Sequence, residues 1–186
     1  MEIRPYEERD RENVRQVCVN TGPGSAQTDP MMREYIIATY CDYYIDKEPG
    51  NVFVLADDND DAQGYVFGAS SFGKYLKAFG PYLKRVSKTG KTNFCEALAE
   101  IAGHALFAAK YPAHLHIDLN EGFRGKGNGS GMVNRLLDKL REQNVKGVML
   151  ITGCGNTGAI RFYNRLGFHT VMRIKGAGAE IMAREL

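Results

Sequence analysis

Short apolar runs alternate with amphipathic segments along the first 71 residues of the chain. Val52–Ala56 is an apolar run typical of a strand, and an acidic turn separates it from a second run at residues 64–71. Two such runs joined by a short polar turn predict an antiparallel hairpin. Before the hairpin, the pattern predicts a strand at Glu2–Pro5, a helix that Asp10 caps, and a helix at residues 32–44.

From residue 113 the pattern becomes a regular series of strands and helices. It predicts strands at residues 114–119, 147–152 and 169–174 and helices at residues 126–143 and 157–166. The apolar residues of the first of these helices recur at helical spacing on one face: Met132, Val133, Leu136, Leu137 and Leu140. The tail at residues 180–186 predicts a further strand at the sheet edge. These elements predict one α/β domain over residues 1–186.

Residues 73–110 interrupt this series. The second half is alanine-rich and helical in pattern, and about 38 residues are too few for an independent core. We therefore expect a helical insertion. Its first half is basic, and no acidic residue occurs before Glu96; the charged residues are Lys74, Lys77, Lys84, Arg85, Lys88 and Lys91. A solvated surface is the simpler interpretation; the alternative is a contact with an acidic acceptor or with ligand phosphates.

Composition excludes several functional classes. The net charge of +2 is too small to indicate a nucleic-acid partner. No apolar run reaches the roughly 18 residues of a membrane span, and the amino terminus lacks the apolar core of a signal peptide. We expect a cytoplasmic protein without a membrane partner. Four scattered cysteines without partner histidines predict reduced thiols and no metal site: Cys18, Cys41, Cys95 and Cys154.

A glycine-rich loop lies between the predicted strand at residues 114–119 and the helix that follows. Its residues are Arg124, Gly125, Lys126, Gly127, Asn128, Gly129 and Ser130. The first amides of a helix lack intrahelical partners and attract anions, and glycines let the backbone approach a pyrophosphate closely. The loop matches neither a P-loop nor a dinucleotide-binding fingerprint. Taken alone, it fits a phosphate site and a plain turn about equally well.

A second motif follows about 25 residues downstream. Asn156 or Thr157 is placed to cap the helix at residues 157–166, and Gly167 suits a left-handed residue at its end. Together the pattern Arg124-x-x-Gly127-x-Gly129 and the pattern Asn156-x-x-Ala159-x-x-Phe162-Tyr163-x-x-x-Gly167-Phe168 resemble the GNAT superfamily of N-acetyltransferases over residues 113–175. The insertion before residue 111 is also similar to that of the acetyltransferase-like domain of O-GlcNAcases.

The resemblance implies a fold and a co-substrate. The fold would be a mixed, mostly antiparallel twisted sheet of about six or seven strands, flanked by helices, with a splayed parallel strand pair. The co-substrate would be acetyl-CoA, with direct attack by the primary amine of a small molecule or a peptide, in a monomer or homodimer. The residues that would contact acetyl-CoA are Leu119, Arg124, Gly125, Lys126, Gly127, Asn128, Gly129, Ser130, Asn156, Ala159 and Phe162.

The resemblance also suggests catalytic residues. Tyr163 matches the tyrosine that protonates the departing thiolate in many members, although it could be a packing residue of its helix. His114 lies where protein-acetylating members carry a catalytic glutamate, and that glutamate is absent here. Alternation places His116 and Asp118 on the same strand face as His114. The general base therefore stays open among His114, His116, Asp118, Glu121 and water.

Two alternatives remain at this point. A non-catalytic module with the same fold could bind CoA or serve recognition, and a wider slot would accommodate a longer acyl chain. The helix at residues 32–44 carries four tyrosines, Tyr35, Tyr40, Tyr43 and Tyr44, in the region that forms one wall of the acceptor site in the family. Helix packing is the simpler explanation for any one of them.

Overall fold

A seven-stranded sheet organises the computed structural model, which describes residues 1–186. The strands are β1 Glu2–Pro5, β2 Val52–Ala56, β3 Ala62–Ala69, β4 Ala113–Leu119, β5 Gly147–Gly153, β6 His169–Ile174 and β7 Ala179–Glu185. Their order in the sheet is β1-β2-β3-β4-β5-β7-β6, and all neighbours pair antiparallel except β4 and β5, which pair parallel. The mixed sheet and its single parallel pair confirm the predicted fold class.

Helices cover both faces of this sheet. They are α1 Arg11–Thr21, α2 Pro30–Tyr40, α3 Asp42–Lys47, α4 Phe72–Ala78, α5 Gly80–Val86, α6 Lys91–Ala105, α7 Asn128–Glu142 and α8 Thr157–Arg165. Strand β3 shows how the two layers arise, because successive side chains of a strand point to opposite faces. Tyr65 and Phe67 belong to the core under α1–α6, whereas Val66 belongs to the core under α7 and α8.

The expected helix at residues 32–44 is two helices. Cys41 leaves the helical conformation with φ −128° and ψ −65°, so α2 ends and α3 begins there. The break puts Asp42 at the first position of α3, where its buried carboxylate accepts from Arg15 at 2.8 Å and Arg85 at 2.6 Å. Apolar periodicity did not reveal the break because apolar residues and tyrosines occur on both sides of Cys41.

Two further expectations were wrong. Asp10 occupies the N-cap position of α1, but its side chain makes no capping hydrogen bond, because its buried carboxylate pairs with Arg4 at 2.7 and 2.8 Å and accepts from the amide of Glu7. Strand β7 is not at the edge of the sheet, since it lies between β5 and β6. Its central residues Ile181, Met182 and Ala183 are fully buried, so the chain returns to an interior position after forming the edge strand β6.

The insertion consists of three helices, α4, α5 and α6, between the paired strands β3 and β4. Its lysines are exposed, while Arg85 is half-buried against Glu34 and Asp42. Helix α6 packs against β5, where Gly103 lies so close to Ile151 that a Cβ atom would come within 2.6 Å of Ile151 Cδ1. No helix of the structure is long and apolar enough to cross a membrane. All four cysteines are free thiols.

Candidate functional site: two clefts beside a strand gap

Strands β4 and β5 separate soon after they meet. Their parallel pairing comprises Ala113 with Val148 and His114 with Met149, whereas β4 stays paired with β3 as far as Leu119. The amide of Asn120 donates to Gln63 at 2.9 Å on the β3 side. Because backbone groups alternate along a strand, the amide of Leu119 points away from β3, toward the gap. A backbone donor therefore faces the space between the two strands.

A cleft of about 690 Å³ opens beside this gap on the α7 and α8 side. Gly125 and Gly127, at φ +78° and +81°, adopt left-handed backbone that favours glycine, and α7 begins at the next residue, Asn128. The glycine-rich turn thus lies at the amino end of a helix, where amides lack intrahelical partners. The residues lining the cleft are Thr21, Ile117, Asp118, Leu119, Arg124, Gly125, Gly127, Gly129, Ser130, Asn156, Gly158, Ala159, Phe162, Tyr163 and Arg165.

Three polar residues of the loop differ in their roles. Arg124 lines the cleft, and its Nε donates to the carbonyl oxygen of Leu119 at 2.8 Å, which ties the loop to the end of β4. Asn128 does not line the cleft; its side chain donates to the carbonyl oxygen of Phe123 at 3.0 Å and supports the turn. Lys126 is exposed and also lies outside the lining.

The first turn of α8 closes the other side of this cleft. Asn156 caps the helix as expected, because its Oδ1 accepts from the amide of Ala159 at 3.1 Å. The predicted left-handed residue after the helix is also confirmed, with Gly167 at φ +81°. Phe162 packs against the start of α7, so that a Cβ atom on Gly129 would lie 3.3 Å from its ring. The two motifs therefore form one cleft.

Tyr163 reaches the same cleft from α8. Its ring packs edge-on against Phe162 and Phe168, with centroids 5.0 and 5.6 Å away, and the residue is only 8% exposed. Burial raises the pKa of the phenol well above its usual value, and the nearby Asp118 carboxylate adds to this. The hydroxyl therefore keeps its proton at neutral pH.

A second cleft, of about 360 Å³, borders the gap on the face covered by the insertion. The same alternation that sends Leu119 toward α7 sends His114 and His116 toward α2, α3 and α6. The residues lining this cleft are Thr39, Tyr40, Tyr44, Tyr75, Glu100, His104, His114, Leu115, His116, Ile151, Thr152, Gly153, Ala177, Gly178 and Ala179. Strand β4 therefore contributes to both clefts, with Ile117, Asp118 and Leu119 in the first and His114, Leu115 and His116 in the second.

The candidate bases have different surroundings in the second cleft. His116 is 32% exposed, and its Nε2 lies 3.0 Å from Asp118 Oδ2, which also accepts from the Tyr65 hydroxyl at 2.7 Å. Burial lowers the pKa of His116, but the charge of Asp118 and its hydrogen bond outweigh this and raise the pKa to about 8. Tyr40 stacks on the imidazole with centroids 5.4 Å apart. The geometry is that of a carboxylate-oriented histidine.

His114 differs from its neighbour although both share a strand face. Its Nε2 lies 3.1 Å from the Tyr44 hydroxyl, and the residue is 1% exposed. Burial lowers its pKa well below the usual value, so the imidazole stays neutral. Glu121 is exposed in the turn after β4 and lines neither cleft. Of the two histidines on this strand face, His116 alone combines partial exposure with a carboxylate partner.

Two residues of the second cleft were missed by sequence reasoning. Glu100 and His104 lie one turn apart on α6, and the His104 Nδ1 lies 3.0 Å from the backbone oxygen of Glu100. Burial raises the pKa of Glu100 to about 7 and lowers that of His104 to about 4. The only available signal was this acid–histidine spacing on one face of an otherwise alanine-rich helix.

The four tyrosines at residues 35–44 do not all line the second cleft. Tyr40 and Tyr44 line the second cleft, whereas Tyr35 and Tyr43 do not. Tyr43 is fully buried and surrounded by the rings of Tyr75, Phe79 and Tyr82. Two of the four tyrosines therefore belong to the candidate site.

Comparison with known proteins agrees with this geometry. Residues 20–168 match the model of the acetyltransferase (GNAT) family. An uncharacterized N-acetyltransferase of Methanocaldococcus jannaschii, MJ1207, is 37% identical over 139 residues; the match covers 66% of this chain and 62% of that protein.

Solved structures extend the agreement to the fold. The crystal structure of SsHAT is 29% identical, with a TM-score of 0.87 over 99% of this chain and 97% of that one. A phosphinothricin acetyltransferase from Sinorhizobium meliloti, solved with acetyl-CoA, is 16% identical, with a TM-score of 0.63 over 100% of this chain and 88% of that one. With a family model matching most of its length, the chain belongs to the GNAT acetyltransferase family.

Proposed function

We propose that the protein is an N-acetyltransferase that transfers the acetyl group of acetyl-CoA directly to a primary amine. The observation that carries the proposal is the pair of clefts bordering one strand gap. The first has the glycine-rich helix start that suits a pyrophosphate, and the second has His116, whose partner Asp118 lines the first cleft 3.0 Å away. The phosphinothricin acetyltransferase of the same fold was solved with acetyl-CoA, which supports the choice of co-substrate.

On the cofactor side, backbone amides from Gly125 to Ser130 would bind the pyrophosphate, and Arg124 would add positive charge. Asn156 would contact the pantetheine arm through its side-chain NH₂ group, because its Oδ1 is already engaged in the helix cap. Lys126 is exposed beside the cleft, where its charge would act at longer range on the CoA phosphates. Asn128 would contribute through its support of the turn.

On the acceptor side, His116 would take a proton from the substrate ammonium group, since only a neutral amine attacks a thioester. Asp118 would hold the imidazole and stabilise the imidazolium that forms. The Leu119 amide would donate to the carbonyl oxygen, where negative charge develops as the nitrogen–carbon bond forms. Tyr163 would give its proton to the thiolate as the carbon–sulfur bond breaks, and the second proton that the nitrogen loses on becoming an amide would restore the phenol through solvent. Cys154 lines neither cleft, which agrees with transfer without an acyl-enzyme.

A thiol-release assay with acetyl-CoA, run over a panel of amines and peptides, tests the proposal. Thermal unfolding with and without CoA is the companion measurement. A ligand that binds only the native state stabilises it by about 2.7 kcal/mol at a hundredfold excess over Kd, so the melting temperature should rise. Binding without turnover on any acceptor would instead favour a CoA-binding module. No thermal shift at millimolar acetyl-CoA would contradict the co-substrate assignment.

A further inference from the structure

The second cleft contains unsatisfied polar atoms. Two buried side-chain atoms of the protein lack a hydrogen-bond partner, Thr39 Oγ1 and His114 Nδ1, and both belong to residues that line this cleft. Buried polar groups are nearly always hydrogen-bonded, and exceptions call for an explanation. Both atoms lie on the wall of one cleft, so the protein leaves part of the hydrogen-bonding capacity of that wall unused.

The Glu100 carboxylate favours a cationic ligand in this cleft. Its carboxylate receives no hydrogen bond from the protein; the His104 Nδ1 lies 4.0 Å from Oε1 and is engaged with the Glu100 backbone oxygen. No lysine or arginine lines the cleft. Burial raises the pKa of Glu100 to about 7, because an ionised carboxylate is costly in a partly dry site and the charge of His116 offsets that cost only in part. A bound cation would relieve that cost.

Aromatic rings complete the environment of a cation. Tyr40, Tyr44 and Tyr75 line the cleft, and Tyr75 lies edge-on to His114 with ring centroids 4.7 Å apart. Aromatic faces attract desolvated cations, and tyrosine does so nearly as well as tryptophan. The surroundings of Glu100 therefore combine a negative charge with electron-rich rings.

The cleft has the size of a small-molecule site. Its volume of about 360 Å³ lies near the lower end of the range for such sites, about 300–1,000 Å³. His116 belongs to β4 and Glu100 to α6, so the cleft has one polar group at the strand gap and another on the insertion. A compact molecule with a nitrogen at each end matches this arrangement.

We propose that the acceptor is a small organic diamine, of which one nitrogen is acetylated beside His116 while the other, still cationic, is held by Glu100 among the cleft tyrosines. This inference rests on the proposed function. The reacting ammonium group loses two protons: His116 takes the first, which frees the nitrogen for attack, and the acetyl group replaces the second, which balances the proton that the departing thiolate gains. The second nitrogen keeps its protons and its charge, so a single turnover gives the mono-acetylated product.

The test compares two amines with equal numbers of heavy atoms, 1,4-diaminobutane and n-pentylamine. Calorimetric binding to the CoA-loaded protein and thiol release from acetyl-CoA are measured for each. The variants are Glu100→Gln, which removes the charge while keeping the shape, and Glu96→Gln as the matched control. Glu96 lies one turn earlier on α6, is exposed, and accepts from the Tyr35 hydroxyl at 3.2 Å outside the cleft.

We expect the wild-type protein to bind the diamine about tenfold to a hundredfold more tightly than the monoamine, which is the usual value of a charged hydrogen bond. Glu100→Gln should remove that preference and leave monoamine binding unchanged, and Glu96→Gln should behave as wild type. Equal wild-type binding of the two amines overturns the inference without needing any variant. Equal losses for both amines in Glu100→Gln also overturn it, because Glu100 would then act on the reacting nitrogen.

The two proposals fail differently. Turnover of monoamines or peptides without a diamine preference would contradict the diamine assignment and leave the acetyltransferase function intact. Preferential binding of the diamine without thiol release from acetyl-CoA would support the cation site and contradict the transfer reaction.

Discussion

Asp118→Asn is the sharpest probe of the proposed base, because it removes one charge while keeping the size of the side chain. In the wild-type protein, Asp118 lies 3.0 Å from His116 and raises its pKa from the ordinary 6.5 to about 8, against the opposing effect of burial. That difference corresponds to about 2 kcal/mol in favour of the imidazolium. It is an upper limit, because solvent reaches the partly exposed imidazole and screens the pair.

Without the charge of Asp118, burial is the main effect left and the pKa of His116 should fall below 6.5. The acidic limb of the kcat/KM profile, which reports the free enzyme, should move from near pH 8 to below pH 6.5. Titration of the His116 ring by NMR should show the same displacement. The matched control is Asp138→Asn, which removes an exposed carboxylate paired with Arg141 and should leave both measurements unchanged.

The His116–Asp118 pair should also make the stability of the fold depend on pH. The raised pKa of His116 contributes stability that is present below pH 6.5 and is lost as the pH rises through about 8. Burial raises the pKa of Asp118, but the charge of His116 and the hydrogen bonds from His116 and Tyr65 outweigh this and lower it. The lowered pKa contributes stability that is lost as the pH falls below 3.8. Asp118→Asn should therefore destabilise the fold most between pH 3.8 and pH 6.5, where both contributions are present. An unmoved acidic limb beside a displaced NMR titration would refute His116 as the base.

The other predictions concern the cofactor side. Tyr163→Phe should lower kcat by about 10²–10⁴ with CoA affinity and KM unchanged, since only a transition-state contact is removed; an unchanged kcat would make Tyr163 a packing residue. Gly129→Val should raise the Kd for CoA by about tenfold or more, because its side chain occupies space between the helix start and Phe162. Gly122→Val, in the open turn before the loop, is its control, and equal CoA binding by both variants would reduce the loop to a turn.

The cofactor side could be predicted from the sequence because its parts are local. The glycine-rich turn, the cap at Asn156 and the left-handed Gly167 are each fixed by residues within a few positions. Local backbone geometry requires particular residue types, and those requirements are visible in the sequence. The strand and helix bounds around them were accurate within about two residues for the same reason.

The N-terminal half was harder to predict because ion pairs between separate elements decide it. Asp10 is a plausible cap by sequence, yet Arg4 of β1 engages its carboxylate instead, and the residue pattern alone does not distinguish the two roles. Asp42 likewise starts a new helix where Arg15 and Arg85 meet it, the second from 43 residues away. Ion pairs of buried carboxylates outweighed helix periodicity at both positions.

The second cleft shows why two histidines on the same face of β4 differ in their properties. The alternation of side chains along β4 correctly placed His114 and His116 on one face, but it did not distinguish between them as candidate bases. They differ because Tyr44 and His104 enclose the first, while the second lies at the gap with Asp118 beside it. That enclosure comes from helices α3 and α6, whose positions the local pattern does not determine. Under the proposed function, the acceptor contacts Glu100 and His104 of the insertion, so we expect variants of these residues to change which amine is acetylated without changing CoA affinity.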